Sequence, residues 1–301
     1  MRVVDLFCGG GGFSCGAVQA GAELVLSVEW VPKLAAIYAA NFPPGPTHEV
    51  RVEELGGSPS KMAREIRALL RSGPLHLHGS PPCQKLSNIS MQRMDVAEGM
   101  RLVRWFLDVV DLSKPTTWTM EQVPHPKLLE YLTHRGFAWH VVTASDHGVP
   151  QKRRRVIAGS QRIIEKLREA EGRGPTVVPR DLFPELQPPE RYRFQNGTDN
   201  QSLYKGGYRK FRPGECTRGL DEPCHTILAR GKRLRIYDTQ TGDFLRRITH
   251  RECATLQGFP EDYKFAPEGG REWKTRTMLI AGNAVPPPLA KSIMEIVLNK
   301  Q

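Results

Sequence analysis

The sequence predicts an α/β fold: a mostly parallel sheet with helices on both faces, carrying a smaller, irregular, β-rich module. Two observations predict it. Over the first half of the chain short apolar runs alternate with helical patterns, which is how parallel strands joined by crossover helices read. Near Gly172 that alternation stops, and from Gly174 to about Glu215 the text is rich in Pro, Gly, Arg and Tyr with weak periodicity.

Val3 to Leu6 is an apolar run fit for a buried strand, and Phe13 to Ala20 a helix closed by Gly21. Leu24 to Val28 repeats the strand signal. Pro32 suits the first turn of a helix running to Asn41. A helix from about Ser60 to Arg71 leads into the strand Leu75 to His78. Arg101 to Val110 is apolar at helical spacing, Thr117 to Met120 is a strand, and Leu128 to Arg135 is helical. Strands follow at Ala138 to Thr143 and Arg155 to Gly159. Beyond the irregular region, Thr249-x-x-Glu252 forms a capping-box pattern. Leu289 to Leu298 is an amphipathic helix expected to pack back onto the first unit. The expected division is 1–172 plus 276–301 for one unit and 173–275 for the other.

The chain has 301 residues, 39% hydrophobic and 25% charged, enough to bury a sizeable core. It contains no apolar run of about 18 residues, so no membrane span is expected. Asp5 interrupts the first apolar stretch, so the N-terminus reads as a strand start and not as a signal peptide. The formal net charge is +11. The cations cluster at Lys152–Arg155, at Arg230–Arg235 and at Arg246, Arg247 and Arg251. Clustered positive charge favours a polyanionic partner, nucleic acid first. The six cysteines form no Cys-x-x-Cys pair, so no metal site is expected. Their scatter suits reduced thiols inside a cell.

Several residues stand where chemistry is done. Gly9-Gly10-Gly11-Gly12 falls between the first strand and the first helix, where a nucleoside-type ligand approaches the backbone. The second strand ends in Glu29-Trp30, an acid suited to ribose hydroxyls beside a ring suited to stacking on adenine. Two prolines in Gly79-Ser80-Pro81-Pro82-Cys83-Gln84 stop a strand and fix the backbone just ahead of a thiol. Glu121 ends another strand and is expected to face the same crevice. In an extended segment Gln151, Arg153 and Arg155 share one side, and that side is expected to present cations to the crevice.

In this order the motifs resemble those of the DNA (cytosine-5)-methyltransferases of bacterial and viral restriction-modification systems. The matching segments are Asp5–Gly12, Glu29-Trp30, Pro81-Pro82-Cys83-Gln84, Glu121-Gln122-Val123, Gln151-x-Arg153-x-Arg155, Arg251-Glu252-Cys253, Gln257-Gly258-Phe259-Pro260 and Gly282-Asn283-Ala284-Val285-Pro286. Together they span nearly the whole chain. The resemblance implies the Rossmann-like sheet of class I S-adenosylmethionine-dependent methyltransferases, with 173–275 as a target-recognition domain. It implies a covalent route in which the Cys83 thiolate adds to carbon 6 of a flipped-out cytosine in duplex DNA. Glu121 would protonate or hydrogen-bond ring N3, and Arg153 and Arg155 would favour the thiolate. The implied cofactor is S-adenosylmethionine, with S-adenosylhomocysteine as its product, bound by Phe7, Gly9, Gly11, Glu29, Trp30, Asn283 and Val285. No metal is implied. Ser87, Gln92 and Arg93, in the polar stretch after Cys83, would contact DNA. Arg230, Lys232, Arg233, Arg235 and Arg251 would do so from the recognition side, reading about two to four base pairs. The expected partners are double-stranded DNA and a cognate restriction endonuclease, the expected state monomeric, and the expected location intracellular, with no membrane attachment.

The chain departs from the family pattern in three places. Gln122 stands where the family carries Asn, so any bond to the Cys83 turn must be re-aimed. Arg51 stands near the place of an acid that contacts the adenine, with Glu53 as a substitute. Gly99 occupies the place of an arginine, with Arg101 two residues on. Two other activities carry related motifs: an RNA cytosine-5 methyltransferase and a catalytically inactive DNA-binding relative. The Cys-Phe-Thr motif of the RNA branch is not found in this chain, and the presence of both Cys83 and Glu121 argues against inactivity.

Overall fold

The computed structural model describes residues 1–82, 96–174, 177–196, 217–229, 234–267 and 274–299. Cys83, Ser87, Gln92, Arg93, Arg230, Lys232 and Arg233 lie outside the described residues.

The first unit alternates strand and helix as its sequence does: β1 (Arg2–Leu6), α1 (Gly12–Ala20), β2 (Glu23–Glu29), α2 (Pro32–Asn41), β3 (Glu49–Val52), α3 (Pro59–Leu70), β4 (Leu75–Gly79), α4 (Val96–Ser113), β5 (Thr117–Gln122), α5 (Pro126–His134), β6 (Ala138–Thr143), β7 (Arg154–Gly159) and α6 (Gln161–Glu169). The strands form one seven-stranded sheet in the order β3-β2-β1-β4-β5-β7-β6. β1 to β5 pair in parallel, and β7 runs antiparallel to both β5 and β6.

β1 shows why the sheet needs helices on both faces. Successive side chains of a strand point to opposite sides. Val4 and Leu6 join a core with Ile66 of α3, Phe106 of α4 and Leu128 of α5. Val3 points the other way, to Phe13 of α1 and Ile163 of α6. The same second core takes in Leu289, Ile293 and Met294 of the C-terminal helix α9 (Pro287–Val297). Gly16 makes that packing possible, because a Cβ there would lie 2.1 Å from the carbonyl oxygen of Pro287.

The second unit is more regular than its composition suggests. It holds a four-stranded antiparallel sheet, β11-β10-β8-β9, from β8 (Tyr192–Asn196), β9 (Thr217–Gly219), β10 (Leu234–Asp238) and β11 (Phe244–Arg247). α7 (His250–Gln257) begins in the expected capping box: the Glu252 amide donates to Thr249 Oγ1 at 3.1 Å while the Thr249 amide donates to the Glu252 carboxylate at 2.5 Å. α8 (Lys274–Asn283) crosses the boundary expected at 276, for Met278 packs in the small-sheet core with Phe194 and Ile236. No described helix is long and apolar enough to cross a membrane.

β2 and β4 lie on opposite sides of β1, so the chain reverses its direction of progress across the sheet between β1 and β4. In such sheets ligands bind outside the carboxyl ends of the strands at this reversal. The glycine turn after β1 and the Ser80-Pro81-Pro82 turn after β4 flank it.

Candidate active site

Phe7, the first residue beyond β1, has φ +61°, a left-handed backbone that costs a non-glycine residue energy and clusters at functional turns. The turn is held from outside. The Cys8 amide donates to the carbonyl of Val28 at 3.1 Å, and the Gly9 amide donates to Glu29 Oε2 at 3.0 Å. Glu29 Oε1 accepts the amide of Val31 at 2.9 Å. One carboxylate thereby ties the glycine turn to the end of β2. Burial raises the Glu29 pKa, and these backbone donors oppose the rise.

A cleft of about 420 Å³ opens at the strand reversal. Phe7, Gly9, Glu29, Trp30, Asn283 and Val285 line it, together with Asp5, Lys33, Ser80, Pro81, Pro82 and Glu121. Gly11 is elsewhere. It starts α1 with φ +84°, and a Cβ on it would meet the Phe42 ring and the Tyr263 hydroxyl at 2.6 Å. Its role here is to let α1 begin against Tyr263, whose hydroxyl donates to the Gly10 carbonyl. Trp30 is 56% exposed at the mouth of the cleft, an uncommon position for a tryptophan and one suited to stacking.

Beside the cleft a small cavity is lined by Phe7, Trp30, Glu54, Leu55, Pro82, Arg101 and Leu102. The acid at this place is Glu54, not Glu53 or a residue at Arg51. β3 continues through Val52, which moves the first cleft-facing positions later. Arg51 is held by Glu49, Glu53 and Glu65 at 3.0, 3.1 and 2.6 Å, and Glu53 also takes Lys61 at 2.7 Å. The sequence carried the signal for Glu54 only through the end of that strand. Arg101 donates to the carbonyl of Gly56 at 3.3 Å.

The turn after β4 is anchored at both ends. The Ser80 amide donates to the carbonyl of Leu6 at 3.2 Å. Gln122 Nε2 donates to the carbonyl of Pro81 at 2.9 Å, while its Oε1 accepts the amide of Val123 at 2.8 Å. The longer side chain therefore does reach the turn that leads to Cys83. Gln122→Ala is expected to lower turnover by about tenfold with a small change in melting temperature, since it removes two hydrogen bonds of about 1 kcal/mol each. Single-turnover rates of the variant check this.

Glu121 is 6% exposed and pairs with Arg155, Nε to Oε1 at 2.8 Å. Arg153 does not join them. It is 1% exposed and donates to the carbonyls of Ile227, Gly282 and Ala284 at 3.2, 3.0 and 3.2 Å. Gln151 is buried beside it, donating to the Leu256 carbonyl and to Gln257 Oε1 and accepting the Ile227 amide. Gln257 in turn donates to the Ala284 carbonyl at 2.8 Å. Three sequence motifs thus meet in one buried polar junction behind the Asn283–Val285 part of the cleft wall. Of the two described basic residues expected at a DNA surface, Arg235 is placed otherwise, while Arg251 stays exposed. Arg235 is 2% exposed inside β10. Arg251 donates to the Tyr263 carbonyl at 2.9 Å and lies over the Phe265 ring at 5.4 Å, bracing the segment that supports the glycine turn.

Residues 1–299 match the C-5 cytosine-specific DNA methylase family. The chain belongs to that family. It is an enzyme of the DNA (cytosine-5)-methyltransferase class, and the family uses S-adenosylmethionine. Among its relatives, the type II methyltransferase M1.HphI of Haemophilus parahaemolyticus is 28% identical over 99% of this chain and 87% of that protein. M.HgiDI of Herpetosiphon aurantiacus is 28% identical over 96% and 92%. The fold is shared with a putative DNA modification methyltransferase encoded within an E. coli prophage, at TM-score 0.65, 21% identity and 99% coverage of both chains. It is shared as well with the S. pombe Dnmt2 methyltransferase, at TM-score 0.64, 17% identity and coverage of 100% and 99%.

Asp5, Glu29 and Glu121 line this methylase's cleft with carboxyl groups, of which Glu121 is already paired with Arg155, and Lys33 lines it as well. Asp5 is 1% exposed, its Oδ2 accepts the Ser14 hydroxyl at 2.7 Å, and its Oδ1 has no hydrogen-bond partner. That orphaned oxygen fits a donor such as the ammonium group of S-adenosylmethionine. Among the described residues no cluster of His, Cys, Asp and Glu is arranged to hold a metal. Burial raises the Asp5 pKa from 3.8 to about 7. A raised carboxyl pKa means that the folded state holds the proton more tightly, so this contribution is lost as pH rises from about 4 to about 7. Asp5→Asn is expected to flatten that fall, gaining up to about 4 kcal/mol at pH 8 as an upper bound, while weakening cofactor binding. Melting temperature against pH and calorimetric titration with S-adenosylhomocysteine check both halves.

Proposed function

We propose that the chain transfers a methyl group from S-adenosylmethionine to carbon 5 of a flipped-out cytosine in a short sequence context of duplex DNA, through a covalent bond to Cys83. The observation that carries this reading is the convergence, at one strand reversal, of the Glu29–Trp30 wall, the Glu121–Arg155 pair and the Pro81-Pro82 turn that leads into Cys83. When bound, the cofactor supplies an electrophilic methyl group on a sulfonium. Phe7, Glu29, Trp30, Glu54 and Asn283 would hold it, with Asp5 Oδ1 as an acceptor.

Cys83 adds as thiolate to carbon 6, and Glu121, steadied by Arg155, protonates or hydrogen-bonds ring N3. Carbon 5 gains the methyl group, then loses its proton as the bond from carbon 6 to sulfur breaks and Cys83 leaves. With Arg153 engaged by three carbonyls, Arg155 is the cation of that motif nearest the chemistry. The other thiols support the choice of nucleophile. Cys8 lines the cleft, but burial holds its pKa well above the ordinary range, and Cys15 is pushed to about 12. A buried thiol of that kind is inert.

Residues 173–275 act as the target-recognition unit, with Arg230, Lys232 and Arg233 among its phosphate contacts, and residues 1–172 with 276–301 act as the catalytic unit. In this reading the protein works as a monomer inside the cell, on double-stranded DNA. The test is transfer of labelled methyl from S-adenosylmethionine to duplex DNA by the purified protein, followed by digestion to nucleosides. The label is expected in 5-methyldeoxycytidine. Label confined to RNA, or to another base, would overturn the reading.

A further inference from the structure

β4 and β5 carry a line of polar side chains through the centre of the sheet. His76 and His78 stand two residues apart on one face of β4, opposite Thr117 and Thr119 of β5. His76 Nδ1 lies 2.9 Å from Thr117 Oγ1, and His76 Nε2 lies 3.0 Å from Thr119 Oγ1. His78 Nδ1 lies 2.9 Å from the same Thr119 oxygen, and His78 Nε2 lies 2.8 Å from Ser80 Oγ. His76, His78 and Thr119 are each 0% exposed, and the Phe13 ring stacks on His78 at 3.5 Å. The two ends, Thr117 and Ser80, are half-buried, and Ser80 lines the cleft.

We propose that Ser80 is a cofactor-binding residue whose hydroxyl donates into the cleft, and that His76, Thr119 and His78 are positioning residues that fix its direction. This rests on the cofactor reading above. Burial keeps both rings neutral, His76 with a pKa lowered to about 3 and His78 lowered well below the ordinary value. A neutral imidazole has one N–H donor and one acceptor, and a hydroxyl has one hydrogen. Thr119 therefore donates to one ring and accepts from the other. The chain then runs in a single direction, and both histidines must carry the proton on the same nitrogen. With both on Nε2, His78 donates to Ser80 and the Ser80 hydrogen is free for the ligand. With both on Nδ1, Ser80 donates to His78 and offers the cleft only lone pairs. Asp5, Glu29 and Glu121 supply acceptors to this cleft, and a Ser80 donor would join those of Lys33 and Asn283 from the side of the β4 turn. An oxygen of the cofactor, its carboxylate first, is the group it fits.

Nitrogen-15 correlation spectra of the histidine rings read the tautomers directly. In the complex with S-adenosylhomocysteine both rings are expected as Nε2–H, and both neutral at pH 6. Different tautomers in the two rings, or an imidazolium at pH 6, would overturn the chain. Thr119→Val is expected to weaken S-adenosylhomocysteine binding about tenfold, the size of one lost hydrogen bond. Thr119→Ser, which keeps the hydroxyl, is expected to restore it to within about twofold. Ser80→Ala should cost as much as Thr119→Val, and the double variant no more than either. Unchanged affinity in Thr119→Val, or fully additive costs, would overturn the proposal alone. Failure of the unmodified protein to bind S-adenosylhomocysteine would overturn the cofactor reading, and the ligand of Ser80 with it.

Discussion

Cys83→Ala is expected to abolish methyl transfer, by at least about a thousandfold, while duplex DNA binding stays within about twofold. The nucleophile is the one group whose loss removes the route itself, and deletions of this kind cost on the order of a million-fold in a well-studied hydrolase. DNA affinity comes mainly from phosphate contacts and groove readout, in which a small thiol has little part. Rates from labelled methyl transfer and affinities from fluorescence anisotropy at one fixed salt concentration separate the two effects. Residual turnover near that of the unmodified protein would show that Cys83 is not the nucleophile.

Arg153→Met is expected to act on folding first. Its guanidinium satisfies the carbonyls of Ile227, Gly282 and Ala284, which come from both units of the chain. Leaving buried polar groups without a donor costs about 1–3 kcal/mol each, so a loss of roughly 3 kcal/mol or more is expected. For a chain of this size that lowers the melting temperature by roughly 5–10 °C. Asn283 and Val285 line the cleft within the segment that Arg153 holds, so cofactor affinity should fall with stability. The sequence alone gave this arginine a direct part in forming the thiolate. A variant with an unchanged melting curve and lost activity would return it to that role.

The contrast between Arg153 and Arg155 shows where reading the sequence reaches its limit. Alternation along an extended segment puts both side chains on one side, and both are in fact buried. β7 begins only at Arg154, however, and Arg153 precedes it, so its side chain turns into the junction between the units while Arg155 reaches Glu121. Nothing in the local text marks that one-residue difference. The same cause hid Glu54, whose place depends on where β3 ends. Charge misled differently at Arg235. The run from Arg230 reads as a basic surface, but Leu234–Asp238 is a central strand of the small sheet and is buried throughout. The glycine turn, Glu29-Trp30 and the double-proline turn were legible because each is a local signal, a strand end followed by residues with a special backbone or charge. The buried chain from Thr117 to Ser80 joins two strands about forty residues apart in sequence, and only the register of β4 on β5 brings it into being.

The most direct test is bisulfite sequencing of plasmid DNA from cells that express the protein, with Cys83→Ala as the control. Protected cytosines in one short recurring context, absent from the control, are the predicted result. Uniform conversion of cytosine in both samples, from a folded protein that binds duplex DNA, would contradict methyl transfer to carbon 5.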